Sequence, residues 1–224
     1  MKKNKMMRIA SVLLVAVILT TCAISGTFAK YVTSNTNADS ARVAKFGVKI
    51  NAAGTMFAKQ YATDDSAFTE TYSVISSGLS DDDKVVAPGT SGQLANVTVE
   101  GTPEVAVRVT NVATVTLNDK WKDANADYYC PLEITVGSTT VKGKDYSSAT
   151  DFANAIKTTI NAVTADYPAN TNLNVIPTNE LSISWAWAFT GNDDVKDTYL
   201  GDQAALGNAG TISISIVTTV TQID

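Results

Sequence analysis

The sequence predicts a mainly β protein, a jelly-roll-like antiparallel β-sandwich with one surface helix and a short second helix. About eight short segments alternate apolar and polar residues, which is the period of strands with one buried face. Turn-forming glycine, proline, asparagine and aspartate residues separate these segments, and only one stretch has clear helical periodicity. Short alternating strands with regular turns are typical of sandwiches and jelly rolls.

Three of the predicted strands are defined by their alternation alone. Near the start of the domain, Phe46, Val48 and Ile50 recur at every second position and predict a first strand. Residues 181–189 place large apolar side chains at the odd positions and serine or alanine between them, which is the strongest strand pattern in the chain. Residues 211–220 show the same alternation and predict a closing strand.

Two hairpins are predicted from pairs of alternating segments with turn residues between them. Residues 92–99 and 105–110 are rich in β-branched side chains, and the turn-forming residues 100–103 separate them. Residues 132–136 and 139–141 flank a Gly-Ser turn. We expect the two arms of each hairpin to pair with one another.

One surface helix is predicted after Ser148, which begins a capping signature that ends at Asp151. Apolar residues then recur three and four positions apart, as on one face of a helix: Phe152, Ile156, Ile160 and Val163. This stripe indicates a helix that packs on a sheet. Residues 199–206 predict the short second helix.

The N-terminus has the three regions of a secretory signal peptide. Basic residues come first: Lys2, Lys3, Lys5 and Arg8. An apolar run over residues 9–24 follows, and then small residues at Thr27 and Ala29 predict cleavage between Ala29 and Lys30. Two alternatives remain open: an uncleaved membrane anchor, and a lipoprotein in which Cys22 carries the lipid.

Cleavage would divide the chain into a signal peptide (1–29), a polar segment (30–41) and a single β-sandwich domain (42–224). It would remove four of the 17 basic residues and none of the 22 acidic ones, which leaves a net charge of −9. Such an acidic chain is not expected to bind nucleic acid. We expect a secreted protein at the cell surface or outside the cell, with no membrane span after cleavage.

The residue types exclude most catalytic sites. The chain contains no histidine, which excludes imidazole-based catalysis and the common zinc-protease motifs. Two groups of acids have the residue type of paired catalytic carboxylates or of calcium ligands, but their polar loop sequences favour solvated charge. They are Asp81, Asp82 and Asp83, and Asp193, Asp194 and Asp197. We therefore expect neither an enzyme nor a bound cofactor.

Two further residue types have a structural explanation. Trp185 and Trp187 occupy the apolar positions of the strongest predicted strand, which favours core packing over stacking on a sugar. Cys130 is the only cysteine after the predicted cleavage site, so no disulfide can form within the processed chain. We interpret it as a small buried residue.

The layout of the chain resembles the TasA/camelysin family of secreted biofilm-matrix fibre proteins, which is related to archaeal bundling pilins. The resemblance rests on a signal that ends in Gly-Thr-Phe-Ala, a short polar segment, Val-Ala-Pro-Gly-Thr-Ser-Gly at residues 86–92 and a tryptophan-rich strand near the C-terminus. It implies a jelly roll whose N-terminal segment completes a sheet in the next subunit. The protease activity described for camelysin is not carried over, because this chain has no histidine.

These observations predict a secreted structural subunit that polymerises with copies of itself by donor-strand complementation. The predicted donor strand consists of Lys30, Tyr31, Val32, Thr33, Ser34, Asn35 and Thr36. The resemblance also implies a dedicated signal peptidase, and we expect anchoring or accessory matrix proteins as partners. The alternative is a non-polymerising adhesin that binds carbohydrate or calcium.

Overall fold

The computed structural model describes residues 12–16, 41–51, 56–58, 61, 84–175, 181–188 and 193–223. The chain divides into two compact units, Met1–Val43 and Ala44–Asp224. In the first unit, residues 12–16 are helical and exposed. None of the described helices combines the length and the apolar character needed to cross a membrane.

The second unit is a sandwich of two antiparallel sheets. The larger sheet has the order β1-β2-β7-β4-β5, and the smaller has the order β6-β3-β8. The strands are β1 (Lys49–Asn51), β2 (Ser91–Glu100), β3 (Val107–Leu117), β4 (Leu132–Val136), β5 (Thr139–Lys142), β6 (Ala165–Tyr167), β7 (Leu181–Trp187) and β8 (Ile212–Gln222). The prediction of a mainly β sandwich is confirmed.

The strand order is that of a jelly roll with one difference. In a jelly roll the first and last strands are neighbours in one sheet. Here β1 lies beside β2 in the larger sheet, where Ile50 is paired with Val99. The place beside β8 that a first strand would occupy has no strand among the described residues.

The core lies between the two sheets and is built by the inward positions of each strand. Large side chains of β4 and β7 are almost completely buried, including Ile134, Ile183 and Trp185. A smaller cluster joins Val99 of the larger sheet to Val107 of the smaller one. Every second residue of each strand thus faces the opposite sheet, which is the alternation seen in the sequence.

Helix α1 (Ala149–Asn161) packs against the sandwich with its apolar stripe. The side chain of Ser148 accepts a hydrogen bond from the amide of Asp151, which satisfies one free donor of the first turn. Phe152, Ile156 and Ile160 are fully buried. The predicted surface helix is therefore confirmed.

Helix α2 (Asp194–Ala205) is longer than the predicted segment 199–206 and begins earlier. Its sequence has almost no apolar stripe, and Leu200 is its only buried residue. Short 3-10 turns lie at Gly143–Asp145 and Leu173–Val175.

The predicted pairing of residues 92–99 with 105–110 is wrong. These residues form β2 and the start of β3, which lie in different sheets. The connection at residues 101–106 crosses between the sheets. Its backbone bonds elsewhere: the amide of Glu104 donates to the carbonyl of Lys45, and the carbonyl of Pro103 accepts from the amide of Asn170. An alternating sequence shows only that one face of a strand is buried. Two strands in opposite sheets have the same alternating pattern as the two arms of a hairpin, because in both cases one face of each strand packs on the core.

The other hairpin is confirmed, and the first strand is shorter than predicted. β4 and β5 pair across the Gly-Ser turn, with Val136 opposite Thr139. Residues 42–48 are not in a strand, and Phe46 and Ile50 are each about two-fifths exposed.

Candidate functional site

The long edge of the smaller sheet is the described feature best suited to bind another chain. β8 pairs with β3 along its whole length, from Leu117 opposite Ile212 to Val107 opposite Gln222. No strand within the described ranges pairs with its other side. We call this side of β8 the open edge.

The hydrogen bonds at the two ends of the β3–β8 ladder show which backbone groups face the open edge. The amide of Asn118 donates to the carbonyl of Thr211 (3.2 Å), and the amide of Ile223 donates to the carbonyl of Ala106 (2.9 Å). Residues of an antiparallel strand bond alternately to one side and to the other. The odd-numbered residues of β8 therefore bond to β3. The even-numbered residues direct N–H and C=O groups to the open edge: Ile212, Ile214, Ile216, Thr218, Val220 and Gln222.

The side chains beneath the open edge are only partly covered. Ile212, Ile214 and Ile216 pack against the main core, yet each is only half-buried. On the neighbouring strand, the inward side chains of Val107 and Ala113 are at most 1% exposed. A further strand at the open edge would cover the isoleucine row.

The other edges of the two sheets are short or covered. β1 and β6 have three residues each, and β5 has four, of which Lys142 is charged. Beyond β6, the side chain of Asn161 accepts a hydrogen bond from the amide of Ala113 and so covers the edge of β3. β8 has 11 residues with no charge and no proline, so it lacks the usual devices that stop an edge from pairing.

The acids Asp193, Asp194 and Asp197 do not gather into a site. Asp197 accepts hydrogen bonds from the Tyr129 hydroxyl (2.6 Å) and from Trp187 Nε1 (3.1 Å), so its interpretation as a solvated charge is wrong. Asp194 is exposed and lines a shallow cavity beside α2 with Asp202. Within the part of the chain that the structure describes, no group of acids and cysteines is arranged to hold a metal ion.

Asp123 is a buried acid that the sequence analysis did not single out. Its carboxylate accepts hydrogen bonds from the amides of Asn125 (2.9 Å) and Asp127 (3.2 Å) and lies 3.4 Å from Lys196 Nζ. Burial disfavours its charge, but these hydrogen bonds and the ion pair outweigh burial and lower the pKa of Asp123. Lys196 therefore connects α2 to the segment between β3 and β4, where it pairs with Asp123 and also lies over the ring of Tyr129.

The tryptophans and the cysteine are structural, as predicted. Trp185 and Trp187 are 2% and 5% exposed, and Trp185 Nε1 donates to the carbonyl of Met56. Cys130 is completely buried, and burial raises the pKa of its thiol to about 12. A thiol in this environment is a poor nucleophile.

The outer face of the larger sheet contains a shallow polar cavity of about 410 Å³. Its outward lining side chains are Ser91, Gln93, Glu133, Thr135, Thr140 and Ser184. Some of these side chains already have partners: Thr135 bonds to Thr140, and Glu133 forms an ion pair with Lys142.

Several residues proposed from the sequence lie outside the described residues. They are the cleavage pair Ala29 and Lys30, the donor residues 30–36, and the acids Asp81, Asp82 and Asp83. No family model, no curated protein and no solved structure matches the chain.

Proposed function

We propose that the protein is a secreted structural subunit that polymerises by strand donation. The segment of residues 30–41, freed by cleavage after Ala29, pairs with the open edge of β8 in another copy. The observation that carries the proposal is an uncharged 11-residue edge above a half-covered row of isoleucines. Repeating this head-to-tail contact produces a filament.

The lengths of the donor and of the acceptor agree. β8 spans 11 residues, and the segment of residues 30–41 contains enough residues to run alongside it. The rise of about 3.4 Å per residue is the same for both partners of an antiparallel pair. Neighbouring side chains of an extended strand point to opposite faces, so one of Tyr31 and Val32 is expected to pack beside the isoleucine row.

Backbone pairing supplies most of the binding free energy in this proposal. Each backbone hydrogen bond contributes about 0.5–1.5 kcal/mol net, and every second residue of β8 offers both a donor and an acceptor. A joint of this kind needs few large apolar anchors, which suits a polar donor such as residues 30–41.

Two hydrogen bonds to the backbone of Lys45 hold the N-terminal side of the domain at this residue, which lies beyond the proposed donor. The amide of Lys45 donates to the Glu104 carboxylate, and the amide of Glu104 donates to the Lys45 carbonyl, both at 2.8 Å. Both core clusters consist of residues after this point. A chain that begins at Arg42 is therefore expected to keep the sandwich.

The test compares Lys30–Asp224 with Arg42–Asp224 by negative-stain electron microscopy and size-exclusion chromatography. We expect filaments from the longer chain and folded subunits that form no filaments from the shorter one. A synthetic peptide of residues 30–41 should then bind the shorter chain and raise its melting temperature, because a ligand of the native state stabilises it.

Two results would reject strand donation. One is equal polymerisation of both chains, which would make residues 30–41 dispensable. The other is that Lys30–Asp224 stays monomeric at all salt concentrations and pH values tested.

A second candidate function is supported by the polar cavity on the larger sheet. Its hydroxyl, amide and carboxylate groups suit a neutral polyhydroxylated ligand, as expected for a carbohydrate-binding adhesin. Calorimetric titration of Arg42–Asp224 with neutral oligosaccharides tests this candidate. Binding that is lost in Gln93→Ala would support it, and no heat with any sugar would reject it.

A further inference from the structure

The outward face of β3 and β8 is an array of small uncharged side chains. Facing residues form successive cross-strand pairs: Thr110 with Thr219, Val112 with Val217, Thr114 with Ser215, and Thr116 with Ser213. We call these residues the neutral face. At one end of it, Arg108 and Asp166 neutralise each other in a two-pronged ion pair with both distances at 2.6 Å.

An apolar pair lies in the middle of this hydroxyl array. Val112 is 55% exposed and Val217 is 61% exposed, and they are directly opposite each other. Each is flanked along its own strand by hydroxyl side chains. The arrangement offers a small apolar centre inside a polar rim, which is the usual anatomy of a protein interface.

The charge of the molecule restricts what can cover the neutral face. The chain has a net charge of −5, and −9 after residues 1–29 are removed. Other described surfaces carry ions, such as Glu133 and Lys142 on the larger sheet and Asp194 and Asp202 on α2. Copies of this protein repel one another overall, and the neutral face is a described surface on which two copies can approach without placing acids against acids.

We propose that the neutral face is a lateral contact through which two copies of this chain pack sheet against sheet. Its serine, threonine and valine side chains are short enough for the spacing of about 10 Å at which sheets stack. Because both copies present the same face, the valines of one copy meet those of the other around a two-fold axis.

This contact uses different atoms from the open edge. Val217 directs its side chain away from the core, and its backbone groups bond to β3, whereas strand donation uses the backbone of the even-numbered residues. A subunit can therefore make both contacts at once, so that lateral contacts would join filaments side by side. The lateral contact does not require strand donation, and the shorter chain Arg42–Asp224 can make it alone.

The dependence on salt follows from the absence of ions in the contact. Salt screens the repulsion between two acidic copies but removes no attraction from a neutral interface. We expect self-association of Arg42–Asp224 to strengthen from about 50 mM to about 500 mM NaCl, where the Debye length falls to a few ångströms. A contact built on ion pairs would weaken over the same range.

The test measures self-association of Arg42–Asp224 by analytical ultracentrifugation for Val217→Asp and for Val195→Asp. Val195 lies on α2 and is 81% exposed, so it provides the same change of residue at an exposed valine elsewhere. We expect Val217→Asp to weaken association more than about tenfold, because it opposes like charges across the contact. Val195→Asp should associate like the unchanged protein.

A second pair of variants distinguishes two reasons why Val217→Asp could fail to self-associate: loss of the lateral contact, or disruption of β8 itself. Val217→Lys alone should also fail to self-associate, but an equal mixture of Val217→Lys and Val217→Asp should associate again. In Lys30–Asp224, filaments of Val217→Asp should remain long and lie singly, whereas unchanged filaments should lie side by side. Absence of all filaments would count against strand donation and not against the lateral contact.

Three outcomes would overturn the proposal. In the first, Arg42–Asp224 remains monomeric over the whole salt range. In the second, Val195→Asp weakens association as much as Val217→Asp does. In the third, Val217→Asp abolishes retention on a neutral glucan such as dextran while the unchanged domain stays monomeric, which would make the face a polysaccharide-binding surface.

Discussion

Asp197 is the residue whose role differs most from its sequence context. It lies among other acids and polar residues, yet its two carboxylate oxygens accept from a buried tyrosine and a buried tryptophan. Sequence reasoning missed this role because both donors lie on other parts of the fold, and no sequence pattern shows that they meet Asp197. Tyr129 precedes α2 by many residues, and Trp187 lies on β7.

We predict that Asp197→Ala lowers the free energy of unfolding by about 1–3 kcal/mol, because two donors lose their acceptor. Urea unfolding followed by tryptophan fluorescence measures the change. Asp194→Ala is the matched control, since Asp194 is exposed and should change stability by less than about 0.5 kcal/mol. Equal losses in the two variants would contradict the assigned role of Asp197.

The lowered pKa of Asp123 predicts that the free energy of unfolding depends on pH in the acidic range. Its pKa is lowered in the folded protein, so the charged carboxylate stabilises the fold. This contribution is fully present above the ordinary aspartate pKa of about 3.9 and is lost as the pH falls through the lowered value. Asp123→Asn should therefore be less stable than the unchanged protein at neutral pH, and the difference should shrink below about pH 4.

Thermal melts at several pH values measure this dependence. Asp119→Asn is the control, because its side chain is 77% exposed. A difference between Asp123→Asn and the unchanged protein that stays constant down to low pH would show that the charge of Asp123 is not the stabilising feature.

At the scale of elements, α1 illustrates how local signals specify a helix. Ser148 caps the first turn, and the apolar stripe faces the core, as the sequence predicts. We predict that Ser148→Ala costs about 1 kcal/mol of stability, because the amide of Asp151 loses its acceptor. Urea unfolding measures the loss, and Ser147→Ala should cost less because the Ser147 hydroxyl donates a long, exposed hydrogen bond to the Asp151 side chain (3.3 Å).

Elements with a strong local signal could be predicted, and those defined by distant contacts could not. The β4–β5 hairpin follows from its two-residue turn, and Trp185 and Trp187 follow from the strict alternation of β7. The start of α2 was missed because that helix has almost no apolar stripe. The pairing of β2 with β3 was predicted wrongly because alternation shows that a strand has a buried face but not which sheet contains it.

At the scale of the whole molecule, the position of the first strand is the most informative difference from a regular jelly roll. β1 is short and extends the larger sheet, so β8 has no partner on its outer side among the described residues. The alternation of residues 211–220 predicted the strand, but no feature of the sequence predicted that it lies at an edge. That position depends on the order of all strands in both sheets.

The central claim is that the backbone of β8 receives a strand from another copy. Ile216→Pro tests it most directly, because proline removes an amide that points to the open edge and leaves the β3–β8 ladder with all its donors. Ile216→Ala is the matched control, since it loses the same partly buried side chain but keeps the amide. Circular dichroism and a cooperative melt establish that both variants of Lys30–Asp224 are folded.

Electron microscopy of these two variants is the measurement that we would make first. The account predicts filaments from Ile216→Ala and folded protein without filaments from Ile216→Pro, and the same difference between Thr218→Ala and Thr218→Pro. Filaments of normal length from both proline variants would contradict it, because the open edge would then not be where subunits join.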